Sequence, residues 1–126
     1  MSGLWKKARD DIDAADVLIA AGHPNAAVSR AYYAMFNAAK IVLAGIDPKL
    51  VQVKSHASII RRFGKHAVEA RGFDRSLGRM FSKAEVARHA ADYEEEGVHQ
   101  GTARNIVDEA RRFVAAAEQF LARIES

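Results

Sequence analysis

Apolar residues return every three or four positions along nearly the whole chain, the spacing of one face of a helix. Leu4, Ala8, Ile12, Ala15 and Ile19 follow this period and predict a first helix from about Leu4 to Ala21, stopped by Gly22-His23-Pro24. A second, alanine-rich helix is predicted from about Ala26 to Leu43, with Asn25 as its N-cap and Gly45-Ile46-Asp47-Pro48 as its stop. After a loop, Ser55 caps a third helix, about His56 to Ala70, carrying Ile59, Ile60 and Phe63, with Gly64 as its weak point. Gly72 separates it from a fourth, about Asp74 to Tyr93. Glu94-Glu95-Glu96-Gly97 reads as an exposed loop. The last helix starts near Thr102, with a stripe of Ile106, Ala110, Phe113, Ala117, Phe120 or Leu121, and Ile124.

No run alternates apolar and polar residues with the Val, Ile and Thr content of a strand. The pattern therefore predicts an all-α protein, an up-and-down antiparallel bundle of about five helices forming one domain over residues 1–126. Small residues such as Ala34, Ala38 and Ala39 would let helices approach closely.

The chain has no cysteine, which removes disulfides, thiol catalysis and thiolate metal sites. No apolar run reaches the roughly 18 residues that span a bilayer, and the first residues lack the apolar core of a secretion signal. The expectation is a cytoplasmic protein without a membrane partner. The net charge of +3 is modest but unevenly spread. Between Lys54 and Arg88 nine basic residues face three acidic ones, and Asp92 and Glu94-Glu95-Glu96 follow at once. A basic surface of this kind suits RNA, a nucleotide or an acidic protein, and equally a solvated helix face.

Candidate chemistry concentrates in two helices. Arg30, Tyr33 and Asn37 lie three and four residues apart and share a face of the second helix, whereas Tyr32, Met35, Phe36 and Ala39 point elsewhere, as core. The first set reads as a polar strip that lines a substrate-binding site or crosses an interface, or as a tyrosine bonded to a neighbouring helix with Arg30 paired to a carboxylate. In the fourth helix Arg88 and Asp92 are spaced for an intrahelical ion pair. Arg88 and Tyr93 are five apart, roughly 140° around an ideal helix, so they converge only where the helix ends or bends or a second subunit completes the site. Histidine can move a proton at a ribose 2′-hydroxyl and arginine can stabilise a phosphorane, the minimal kit for metal-independent RNA cleavage. Five histidines are available, His23, His56, His66, His89 and His99, and His66 follows Arg61 and Arg62. Metal ligation is not expected, since Glu96-Gly97-Val98-His99 is a lone Glu-x-x-His in a glycine-containing loop. No phosphate-binding loop or nucleophile elbow occurs, and no cofactor is expected.

Three separated motifs together resemble a known family: Ser29-Arg30-Ala31-Tyr32-Tyr33-Ala34-Met35-Phe36; Ser55-His56 with Phe63-Gly64-Lys65-His66; and Arg88 with Ala91-Asp92-Tyr93. Their order and spacing are similar to those of small stand-alone prokaryotic HEPN proteins over nearly the whole chain. The resemblance implies an all-helical bundle, commonly a homodimer. It also implies a toxin–antitoxin pairing in which many members cut RNA without metal and a minimal nucleotidyltransferase acts as antitoxin. In those toxins an Arg and a His four to six residues apart lie near the dimer cleft, and in some systems the partner adds a nucleotide to a nearby tyrosine. Here Tyr93 stands where that motif has its His, and a phenol, with a reference pKa of about 10, is a poor general base at neutral pH. Arg88, Tyr93, Asp92 and His89 are thus the candidate catalytic residues, with Arg30, Tyr33, Asn37 and His56 as candidates for binding RNA or a nucleotide. Two functions are expected: a toxin-like metal-independent endoribonuclease, and a non-catalytic module that binds a nucleotide or docks on a nucleotidyltransferase.

Overall fold

The computed structural model describes residues 2–52 and 55–126. Lys54, one of the basic residues counted above, lies outside them. Five α-helices make up the framework: α1 (Ser2–Ala20), α2 (Pro24–Ile46), α3 (His56–Phe63), α4 (Arg75–Tyr93) and α5 (Gln100–Glu125). A 3-10 turn (Pro48–Val51) leads toward α3 and a π-helical segment (Gly64–Glu69) continues it. The widened turn begins at Gly64, the predicted weak point. The protein is all-α, and among the described residues there is no strand.

α2 is the hub and packs against the other four helices. Its alanines explain how: Ala27, Ala31, Ala34, Ala38 and Ala39 are fully buried, and their small side chains admit neighbours on several sides. α1 and α2 form a hairpin whose turn follows from one glycine. Gly22 adopts φ 80, while the N–H groups of Gly22 and His23 bond the carbonyls of Ile19 and Leu18, the double bond that ends a helix at a left-handed glycine.

Three local expectations are corrected. Pro24, with no amide hydrogen to lose, opens α2, and His23 occupies the N-cap position without a side-chain bond. Asn25 does not cap the helix; its Oδ1 accepts from the Val98 amide (2.8 Å) and ties α2 to the loop before α5. That contact requires a bare Cα at Gly97, where φ is 66 and an added Cβ would lie 2.5 Å from Asn25. In α1 the buried anchor near the start is Trp5, while Leu4 faces solvent. In α5 the predicted stripe is buried except Ile124.

The far end of the core is aromatic. Phe63, Phe73, Phe81, Phe113 and Phe120 form a connected set of rings between α3, α4 and α5. Phe81 also stacks on Tyr32 of α2, with centroids 6.1 Å apart. The aromatic core therefore backs directly onto the polar groups described next.

Candidate functional site

Tyr32 lies at the centre of a polar cluster between α2, α3 and α4. Helical periodicity puts its ring in the core, where it is fully buried, and its hydroxyl meets His56 Nδ1 at 3.2 Å. His56 is the first residue of α3, a position set by the Ser55 cap, whose hydroxyl accepts from the Ser58 amide at 3.1 Å. The imidazole is held among three rings of α2: Tyr32 stacks on it, Phe36 lies 4.3 Å away and Tyr33 meets it edge-on at 5.7 Å.

From α4, Arg88 lays its guanidinium over the Tyr32 ring, 5.2 Å from the centroid. Its side chain is only 12% exposed. Nη2 donates to Glu85 (2.9 Å) and Nη1 to Asp92 (3.0 Å), one helical turn back and one forward. Asp92 in turn accepts from the Ser29 hydroxyl of α2 at 2.9 Å. The sequence-predicted Arg88–Asp92 pair is present, but it belongs to a chain that runs from Ser29 through Asp92 and Arg88 to Glu85, and Arg88 also covers the Tyr32 ring whose hydroxyl meets His56.

Two buried atoms in this chain have no hydrogen-bonding partner among the described residues, Glu85 Oε2 and Arg88 Nε. Glu85 Oε2 falls outside hydrogen-bonding geometry with the Tyr32 hydroxyl, yet the two groups are close enough to influence each other's ionisation. Burial opposes the charge on Glu85. The hydrogen bond from Arg88, the Tyr32 hydroxyl and the nearby charges outweigh it and hold the carboxyl below its usual range. Arg88 is held well above its already high value by the bond to Glu85, against the opposing effect of burial. Burial, and then Glu85, push the Tyr32 phenol far above its usual value.

That last shift has a measurable consequence. The folded protein keeps a proton that the unfolded chain releases above about pH 10. The stability contributed by a neutral Tyr32 is complete below that value and is lost as pH rises past it. Chemical denaturation between pH 9 and 11.5 should show a declining stability, and Tyr32→Phe should flatten that decline.

The other predicted site residues go elsewhere. Arg30 turns away from α4 and pairs with Asp11 of α1 at 3.2 Å, so it and Arg88 are not brought together. Asn37 lines a separate cleft with Leu4, Lys7, Lys40, Ile41, Ala44 and Val51. The expected strip of Arg30, Tyr33 and Asn37 is therefore split among three surroundings, and Tyr33 alone borders the cluster. Tyr93 is 72% exposed at the end of α4, its ring 4.8 Å from that of His89. Among the described residues no group of three His, Cys, Asp or Glu side chains is arranged to hold a metal. Sequence reasoning missed Glu85 and Ser29 and assigned Tyr32 to the core alone. The Glu85–Arg88 spacing of three was the available signal for the first.

Much of the predicted basic surface is engaged internally. Arg62 donates to the carbonyls of Lys49 and Leu50, Arg71 to that of His66, and Lys83 pairs with Glu109. Arg75 and Arg79 remain exposed and line a cleft between α4 and the π-helical segment, with Gly64, Val68 and Glu69.

The family model of the HEPN domain matches residues 1–124. The chain belongs to the HEPN family. Curated relatives agree over almost the whole length of this HEPN protein. It is 32% identical to "Putative toxin MJ0605" of Methanocaldococcus jannaschii over 124 residues, covering 98% of this chain and 90% of the relative. It is 31% identical to "UPF0332 protein glr0978" of Gloeobacter violaceus over 121 residues, covering 94% of each. A third relative, "UPF0332 protein PH1297" of Pyrococcus horikoshii, is 38% identical over 80 residues, 62% of this chain and 50% of the relative. No helix among the described residues is long and apolar enough to cross a membrane.

Proposed function

We propose that this HEPN protein is the toxin-like member of a toxin–antitoxin pair, a single-domain cytoplasmic homodimer that cleaves RNA without metal and is controlled by a nucleotidyltransferase. Family membership and the toxin name of a full-length relative support the general class. One observation carries the chemistry: a guanidinium fixed in the wall of the bundle by two carboxylates and an aromatic face. Such a group needs no reorganisation to meet charge developing on a phosphorane, which is where electrostatic catalysis gains most. Its Asp92 side is the more open, with that carboxylate 35% exposed and shared with Ser29. A phosphate would compete with Asp92 for Nη1 and leave the Glu85 bond in place.

The test is incubation of the purified protein, made without any partner, with tRNA and total RNA in chelator. Cleavage is expected, and it should fall at least about 100-fold in the double variant Glu85→Gln/Arg88→Met, which removes charge from both partners together. Intact RNA at high protein concentration would overturn the reading.

The pairing of Arg88 with two carboxylates favours a second reading, a non-catalytic module that docks on a nucleotidyltransferase. Tyr93, exposed beside His89 and three glutamates, would then be the contact or the modified group. Stable co-purification with such an enzyme and no RNA cleavage would select this alternative.

A further inference from the structure

The apolar stripe of α1 begins with a residue that the bundle does not bury. Leu4 keeps the spacing of Ala8, Ile12, Ala15 and Ile19, which are all buried, yet it is 51% exposed. It lines a cleft of about 250 Å³ between the first turns of α1, the last turns of α2 and the 3-10 turn. Ile41, Ala44 and Val51 supply the rest of the apolar lining. We infer that this cleft binds a small amphipathic anion, an apolar chain or single ring with one anionic head group. The apolar body lies against Leu4 and Ile41, and the head group meets Lys7 and Lys40. The inference goes beyond the RNA-cleaving reading and does not depend on it.

Electrostatics selects the sign of the ligand. Among the described residues no acidic side chain lines the cleft, whereas two ammonium groups do. Lys7 and Lys40 are exposed, and neither pairs with a carboxylate among the described residues. Lys6, one position earlier on α1, does have such a partner in Asp10, at 2.9 Å. Lys40 is also steered: its ammonium lies 5.4 Å from the centre of the Phe36 ring, one turn back on α2. Asn37 is half-buried on the same wall, and its carboxamide can donate to the head group. The site thus gives Asn37 a ligand of its own, apart from Arg30 and Tyr33.

The volume limits the occupant. It falls below the roughly 300 Å³ at which sites for drug-sized molecules begin, so a short chain or one ring fills it. Burial of that apolar part supplies most of the affinity, while the exposed ammonium groups decide charge selectivity. A second copy of the chain is the competing occupant of such a surface, and the experiment separates the two.

The test uses the intact chain labelled with nitrogen-15, with octanoate as the probe and octanol as its uncharged counterpart, at pH 7. Octanoate at up to about 10 mM should shift the amides of Leu4, Lys7, Lys40, Ile41 and Val51 and leave those around Arg88 unmoved. Octanol should bind at the same place about fivefold more weakly, the scale of two exposed ion pairs. Lys7→Ala/Lys40→Ala removes two surface side chains and should fold as the parent does. Its affinity for octanoate should fall to that for octanol. Ala44→Leu narrows the cleft and should weaken both ligands. Absence of shifts at these amides overturns the inference, as does equal affinity of the parent for octanoate and octanol. Octanoate binding that survives Lys7→Ala/Lys40→Ala unchanged also overturns it. Cleft amides that move with protein concentration in unliganded samples identify a second copy as the occupant, with the same consequence.

Discussion

Arg88→Ala is expected to destabilise the protein by about 2–3 kcal/mol, more than a surface pair and less than a fully buried one, because the ion pair is partly buried. The loss has two parts. Nη1 and Nη2 give up bonds to Asp92 and Glu85 at 3.0 and 2.9 Å. More costly, Glu85 is left in the bundle wall with neither oxygen satisfied, since Oε2 has no hydrogen-bonding partner even in the intact protein. For a chain of this size that is a fall of roughly 6–12 °C in melting temperature. Glu85→Gln/Arg88→Met should recover more than half of it, because the orphaned charge disappears with its partner. Differential scanning calorimetry on the parent, both single variants and the double variant closes the cycle. A drop under 1 kcal/mol for Arg88→Ala would show that the pair is solvated and that the proposed rigid cation does not exist.

The pH dependence of the same cycle has a definite sign. Glu85 is held below its usual range in the folded protein, so its contribution is complete above the unfolded value of about 4.3 and is lost as pH falls through the lower folded value. Arg88→Ala removes the main stabilising bond to the carboxylate. The gap between parent and variant should therefore be widest near neutrality and narrow in acid.

The second large effect is expected from Phe113→Ala, about 3–5 kcal/mol as a lost buried ring and the cavity that replaces it. Phe113 is fully buried on α5 and touches Phe63, Phe73 and Phe81 with centroids 5.4, 5.5 and 5.1 Å apart. α3, α4 and the loop that carries Phe73 all meet on that ring, so none can move to fill the void without disturbing the other two. Phe113→Leu should cost about 1.5 kcal/mol. The consequence reaches the site, because Phe81 separates Phe113 from Tyr32 by a single ring. Urea denaturation gives the stability, and broadening of the His56 resonances would report the loosened cluster. A change below 1 kcal/mol would mean that the aromatic core is not packed as described.

The sequence by itself determined the helices. Spacing placed the apolar stripes except at the helix ends, where Leu4 and Ile124 are exposed, and Gly22, Gly72 and the Gly97 loop marked breaks that the structure keeps. It also brought Arg88 and Asp92 within reach of each other, because a pair four residues apart on a helix meets whatever surrounds it. It could not show that Arg30 would turn to Asp11, that Glu85 would enter a polar chain or that Tyr32 would meet His56. The period of a helix says which residues share its face, but not which face of another helix lies opposite. That choice came from tertiary packing: the alanines of α2 admit α3 and α4 at close range, and the phenylalanine cluster sets their rotation. Only then does a tyrosine that looks like core in one dimension present its hydroxyl to a histidine 24 positions along the chain.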